Sequence, residues 1–317
     1  MELNIRDTVV EFIEQWRLKT GIEYARLCHW VGINCQRLCE WRRRKGVVNR
    51  HNGHVPRKDW LSEDESSAIV VFYLEHKDDG YRRCAYMMID MNIAWAAPST
   101  VYKVLCRAGA IRSFTGKPSR KGKGFEQPLV IHEHWHIDIT YIHVAHKHCF
   151  LTTVIDGCSR YIVVSRLTER MEDTDIGIAV QLAHERFPDA RPRVISDNGA
   201  QFVGKEFKTF IGIHGFTHVR TSPYYPQSNG KIERWHKSLK GECIRRKSLT
   251  DLEQAAGVVE AYVDYYNLAR LHSAVGYVTP ADMLAGRGRE IYATRDEKLS
   301  LGRERRRVTL DFDRKDV

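Results

Sequence analysis

Trp135-His-Ile-Asp-Ile-Thr-Tyr141 places apolar side chains at every second position with polar ones between, the period of a strand, and it sets an acid, Asp138, in mid-strand. The strand extends from His132 to Val144. Two more follow at Leu151 to Ile155 and Tyr161 to Leu167, joined by Asp156-Gly-Cys-Ser-Arg160, in which Asp156 reads as a turn former. A helix near Asp175 to Phe187, a strand at Arg193 to Ser196, a helix near Lys205 to Ile213, a strand at Thr217 to Thr221 and a helix beginning around Lys231-Ile-Glu-Arg-Trp235 complete the order βββαβαβα. That order predicts an α/β domain with a mixed sheet flanked by helices.

Two further acids occupy telling positions. Asp197 follows the apolar run Val194-Ile195-Ser196, at the carboxyl end of a strand, where open α/β sheets build their sites. Glu233 lies in the first turn of its helix, whose Ile232, Trp235, Leu239 and Cys243 form one apolar stripe while Glu233, Lys237 and Lys240 share the adjacent face. A regulator has no physical need for three clustered carboxylates, whose repulsion only a cation relieves, so this set points to a site for divalent ions and phosphoryl transfer. Asn198 and Gly199 read as the turn that aims Asp197. Tyr224, Tyr225 and Gln227 precede Glu233 in a loop and are candidates either for DNA contact or for loop packing.

The chain has 317 residues, 43% of them apolar, enough for a sizeable core and about two domains. Lys and Arg outnumber Asp and Glu by 50 to 40, a net charge of +10 that favours a polyanionic partner such as nucleic acid. No apolar run approaches the roughly 18 residues of a membrane span, and the acidic, amphipathic start lacks the features of a signal peptide, so a cytoplasmic, nucleoid-associated protein with no membrane partner is expected. Eight scattered cysteines fit buried thiols in a reducing compartment better than a disulfide framework.

Upstream of the strands the pattern is helical. Leu27 and Trp30, then Gly32, then Leu38 and Trp41 fit a helix-turn-helix capped by Asn34, with Gln36, Arg37, Arg42, Arg43 and Arg44 turned outward. A second unit is expected to comprise helices near Ser66 to His76, Tyr81 to Asp90 and Ser99 to Ala108. Ser99 reads as the last helix's N-cap and Gly109 as its stop, with Lys103 and Arg107 exposed. A packing module with no DNA contact is the alternative for each unit. The expected organisation is a helix-turn-helix unit at 1–60, a second helical DNA-binding unit at 61–112, a basic linker at 113–128 that carries Lys121 and Lys123, the mixed-sheet core at 129–285 and a basic segment at 286–317. Whether that last segment forms strands, a helix or an arm is left open.

The runs Trp135 to Tyr141, Ser196-Asp-Asn-Gly-Ala-Gln-Phe202 and Ser222-Pro-Tyr-Tyr-Pro-Gln-Ser-Asn-Gly-Lys-Ile-Glu-Arg234 together resemble the retroviral-integrase-type (DDE) core of bacterial insertion-sequence transposases. Leu239-Lys-Gly-Glu242, Tyr266-Asn267, Arg270, His272, Gly276 and Thr279-Pro280 extend the resemblance. It implies a ribonuclease H-like fold in which Asp138, Asp197 and Glu233 are catalytic and bind two Mg²⁺ or Mn²⁺ ions, Asp138 touching both. The implied activity is cleavage at an element's ends followed by joining of the freed 3′-hydroxyl to target DNA. The implied partners are double-stranded DNA, as element ends recognised by the N-terminal units and as target, and further copies of the chain on that DNA; an accessory protein is an open question. Lys231, Lys237 and Lys240 are candidate DNA contacts beside the acids, and Arg42, Arg43, Arg44, Lys103, Arg107, Lys121 and Lys123 are candidates elsewhere.

Other readings compete. His134, His136 and Asp138 alternate along one strand face in a pattern that can bind zinc, and Cys35, Cys39, His51 and His54 loosely imitate a structural finger. A catalytically silent DNA-binding regulator and a metal-dependent nuclease without joining activity are the remaining alternatives.

Overall fold

The computed structural model describes residues 3–47, 61–112, 128–220 and 229–313. The linker residues 113–127 with Lys121 and Lys123, the loop residues Tyr224, Tyr225 and Gln227, and His51 and His54 lie outside that set. The chain divides into two compact units, Met1–Trp60 with Arg307–Val317, and Leu61–Arg306.

In the first unit α1 (Leu3–Thr20), α2 (Tyr24–Val31) and α3 (Cys35–Arg43) enclose Val10, Ile13, Leu27, Cys28 and Leu38. Gly32 ends α2 at φ 72°, a left-handed conformation that glycine adopts without steric cost, and the Asn34 side chain accepts from the Gln36 amide to start α3. The helix-turn-helix reading therefore holds in its turn and cap. Trp30 departs from the expected packing: it is 60% exposed, with the Arg26 guanidinium 5.5 Å above its ring, because Val10 and Ile13 of α1 complete this core instead. Arg6, buried in α1, donates to the carbonyls of Arg44 (2.6 Å) and Val47 (2.9 Å) and so satisfies acceptors just past the end of α3.

The second unit begins with three helices, α4 (Glu63–Glu75), α5 (Gly80–Asp90) and α6 (Pro98–Arg107), packed around Ile69, Phe72, Cys84, Met88, Val101 and Leu105. A capping box between Ser62 and Glu65 starts α4. Ser99 does not cap α6. Pro98 takes the first helical position, where its fixed φ suits the helix and its missing N–H costs nothing, and this forces Ala97 into the extended capping place.

The core follows with β1 (His134–Val144), β2 (Lys147–Asp156), β3 (Ile162–Thr168), α7 (Asp173–Arg186), β4 (Arg193–Ser196), α8 (Ala200–Val203), α9 (Lys205–Ile213), β5 (Thr217–Arg220) and α10 (Gly230–Ser238). The sheet order is β3-β2-β1-β4-β5, antiparallel across the first three strands and parallel from β1 through β4 to β5. With helices on both faces this is a ribonuclease H-like fold. On one face Trp135, Ile137 and Val154 meet Ile176 and Val180 of α7 and Phe207 of α9; on the other Ile142, Val144 and Leu151 meet Ile232, Trp235 and Leu239. The alternation read from Trp135 to Tyr141 thus describes a strand buried on both sides over most of its length.

After a π-helical turn at Leu239–Cys243 come α11 (Leu252–Leu268), α12 (Pro280–Leu284) and α13 (Gly288–Asp313), which resolves the open fold of the C-terminal segment as helix. Within the second unit α13 is tied to the helical module. Arg295 pairs with Asp90 through bonds of 2.8 and 2.6 Å, and Arg306 holds Glu65 at 2.9 Å and the Trp95 carbonyl at 2.8 Å. No helix among the described residues is long and apolar enough to cross a membrane.

Trp235 is 1% exposed and packs against Tyr262 and Tyr266 of α11, with ring centroids 5.7 and 4.6 Å away. Trp235→Ala is expected to lower stability by about 3–5 kcal/mol, read as a drop in the urea midpoint; an unchanged midpoint would refute this anchoring role.

Candidate active site

Asp138 leaves β1 on the face shared by His136, Thr140 and Ile142, which packs on α10. β1 and β4 run parallel with His136 opposite Ile195, so two residues further on Asp138 and Asp197 leave adjacent strands at the same level. Asp197 is held in a tight turn in which its Oδ1 accepts from the Gly199 amide at 2.9 Å. A β-carbon on Gly199 would stand 3.0 Å from that oxygen and 2.8 Å from the Gln201 side-chain nitrogen, so a larger residue there would have to displace the Gln201 side chain. Ser196 steadies the strand end by donating to the Asp197 carbonyl at 2.9 Å, and its Oγ lies 2.9 Å from His218 Nε2.

Glu233 is exposed in the first turn of α10, while Ile232, Trp235, Leu239 and Cys243 are all buried as the stripe predicted. The three acids share one electrostatic field. Burial, joined by the charges of Asp197 and Glu233, pushes the Asp138 carboxyl up to about 7 against the opposing pull of the Ile139 amide and Lys240. All three donors are hard carboxylates whose mutual repulsion a divalent cation relieves, so the residues fit Mg²⁺ or Mn²⁺. Among the described residues no three His, Cys, Asp or Glu side chains already converge on one ion position. The same holds for His134, His136 and Asp138, and burial drives His136 down to about 3 in an interior position.

His236 is a neighbour that the sequence reading passed over. Its Nδ1 stands 3.5 Å from Asp138 Oδ2, and burial, reinforced by Lys240, pushes its pKa down to about 4, so it faces the acid as a neutral ring at pH 7. Only its i, i+3 spacing from Glu233 hinted at this. The lysines diverge in setting. Lys237 is exposed, whereas Lys240 donates to Thr140 Oγ1 at 2.7 Å and so ties α10 back to β1. The Lys231 Nζ is buried with no hydrogen-bond partner among the described residues, and burial beside Arg160 lowers its pKa to about 8; it is not an outward arm.

Lys103 and Arg107 are exposed on α6, and Arg43 on α3. Arg42 is engaged internally, with Nε 2.8 Å from Glu14, and Arg44 lies 3.6 Å from Glu40. Asp156, fully buried, accepts from the amides of His132 (2.9 Å) and Ser159 (2.6 Å) and from the Ser159 hydroxyl (2.7 Å), the turn-forming role expected of it.

The ribonuclease H-like sheet thus carries Asp138 within β1 and Asp197 just past the parallel β4, and comparison with known proteins adds the family. Residues 131–226 match the integrase core domain family, and residues 214–280 match a second family of the same description. A 39.2 kDa protein of insertion element IS476 from Xanthomonas euvesicatoria is 25% identical over 242 residues, covering 73% of this chain and 68% of that protein. The transposase of insertion sequence IS904 from Lactococcus lactis is 26% identical over 175 residues, 52% of this chain and 69% of its own length. A chain of a simian T-cell lymphotropic virus intasome is 16% identical, with a TM-score of 0.46 over 68% of this chain and 74% of that one. The protein thus carries an integrase core domain and is related to bacterial insertion-sequence transposases.

Because folding lifts the Asp138 pKa above its unfolded value, the folded protein binds the extra proton between about pH 4 and 7. Without metal its stability therefore falls as pH rises through that window. Asp138→Asn should raise the stability in EDTA at pH 8, by up to about 4 kcal/mol and read as a higher melting temperature, with the gain shrinking toward pH 4. Equal melting of the two proteins at pH 8 would contradict the shift.

Proposed function

We propose that this chain is a DNA transposase that binds the ends of a mobile element, cuts there and joins the exposed 3′-hydroxyl to target DNA. The observation that carries this reading is the placing of Asp138 and Asp197 at one level on parallel neighbours, with Glu233 close enough to act on the Asp138 carboxyl. Bound between these acids, two Mg²⁺ or Mn²⁺ ions would supply Lewis-acid stabilisation of the entering and leaving oxygens of a phosphodiester. Asp138, Asp197 and Glu233 are the carboxylates that would hold them. Neutral His236 orients Asp138, as an imidazole beside a ligating carboxylate commonly does.

Lys237, on the Glu233 face of α10, grips DNA phosphates beside the acids; Lys240 holds the helix against Thr140. Lys103 and Arg107 on α6 and Arg43 on α3 are the exposed cations of the two helical units suited to duplex contacts, with Lys121 and Lys123 adding charge in the linker. Two element ends meeting one target require at least two copies of the site, so the working form is an oligomer on DNA.

The test is a joining assay on labelled duplex carrying the element's own ends. Glu233→Gln and Asp197→Asn should each lower metal-dependent cleavage and joining by at least about a hundredfold while end binding stays within a few-fold. Joined product from either variant at wild-type rate would sink the assignment, and cleavage with no joined product in the wild type would make the protein a nuclease.

A further inference from the structure

Past α10 the helical run continues through the π turn, and there Glu242 gathers three partners from three parts of the fold. Its Oε2 accepts from Arg270 Nε at 2.8 Å and from the Tyr262 hydroxyl at 2.7 Å, and its Oε1 accepts from Arg270 Nη2 at 2.5 Å. Oε1 also lies 3.8 Å from Arg83 Nη2, whose other nitrogen donates to Asp79 Oδ1 at 2.9 Å. Tyr262 belongs to α11, Arg270 to the turn after it, and Arg83 and Asp79 to the start of α5 in the helical module. Arg270 is only 7% exposed and its forked pairing holds the Glu242 carboxyl below the usual range although burial opposes this. Such an arginine cannot lose its partner without leaving a charge stranded in the interior.

Nine residues along the same run, roughly 13 Å at helical rise, separate Glu242 from Glu233, so Glu242 does not touch reacting atoms. It fixes the far end of the helix that presents Glu233. Arg270 and Tyr262 set the roll of that helix against α11, where Trp235 is already stacked, and Arg83 extends the bond to the module. Close by, Arg246 pairs with Asp78 at 2.6 Å and reinforces the same junction.

We infer that Glu242 is a positioning residue that couples the seating of the helical module, residues 61–112, to the orientation of α10 and hence of Glu233. The inference rests on Glu233 being a metal-binding acid, as proposed above. The surface it defines joins the module to the core through a charged carboxylate, so disturbing the module's end of the link should loosen the catalytic helix.

The experiment is hydrogen exchange on the full chain with mass-spectrometric readout of peptides covering 230–243, paired with calorimetric titration of Mn²⁺. Glu242→Gln and Arg83→Gln should each speed exchange in 230–243 by about tenfold or more, leave peptides of β1 and β2 within twofold, and weaken Mn²⁺ binding several-fold. The charge-reversed pair Glu242→Arg with Arg270→Glu should recover part of the protection. Exchange in 230–243 within twofold of wild type in Arg83→Gln would overturn the coupling, as would a uniform loss of protection across the sheet in that variant. Should Glu242→Gln fail to fold, Arg83→Gln decides alone. Exchange reads the link whether or not the wild type joins DNA, so a failed joining assay would remove the proposed function without moving this result.

Discussion

The Asp138 carboxyl lies buried in the field of the Asp197 and Glu233 charges, and the rest of the core is arranged around that conflict. The parallel pairing of β1 with β4 sets the first two: once His136 lies opposite Ile195, Asp138 and Asp197 have no freedom to separate along the strands. The cost appears in Asp138, whose carboxyl is driven up to about 7 by burial and by the two other acids. A fold that accepts such local conflict must offset it with packing elsewhere, and both faces of the sheet supply that packing.

The two faces divide the labour. The α7 and α9 side is apolar and aromatic, from Trp135 to Phe216, and keeps the strands in register. The α10 and α11 side also carries polar tethers, Lys240 to Thr140 and Trp235 Nε1 to Thr153 Oγ1 at 3.4 Å, that cross from helix to sheet beside the acids. Apolar packing sets distance but is non-directional, and the hydrogen bonds add the direction that a ligand set needs.

What the sequence revealed was whatever repeats locally. The two-residue period of Trp135 to Tyr141 and the stripe Ile232, Trp235, Leu239 and Cys243 announced a buried strand and an anchored helix, and Asp-Asn-Gly announced the turn in which Asp197 accepts from the Gly199 amide. Features set by distant parts of the chain stayed hidden. Trp30 looked like core until α1 took its place, and Lys231 looked like a surface cation although its Nζ is buried within the electrostatic reach of Arg160 and Asp156. His236 was unreadable for the same reason, since its meaning comes from Asp138 on another element. Charge type predicts exposure only where no partner from elsewhere in the chain draws the group inside.

The acids differ in how they are held. Asp138 is fixed by the central strand of the sheet and Asp197 by a glycine turn at the end of its neighbour, whereas Glu233 rides exposed on the first turn of a helix. A side chain carried on a helix is placed only as well as that helix is restrained. The restraints concentrate accordingly on α10 and its continuation, in the stack of Trp235 on Tyr262 and Tyr266, the Lys240 tether and the Glu242 network. The tethers among the described residues thus lie along the buried stretch of one helical run, and the placing of the exposed Glu233 at its start depends on how well that stretch is held.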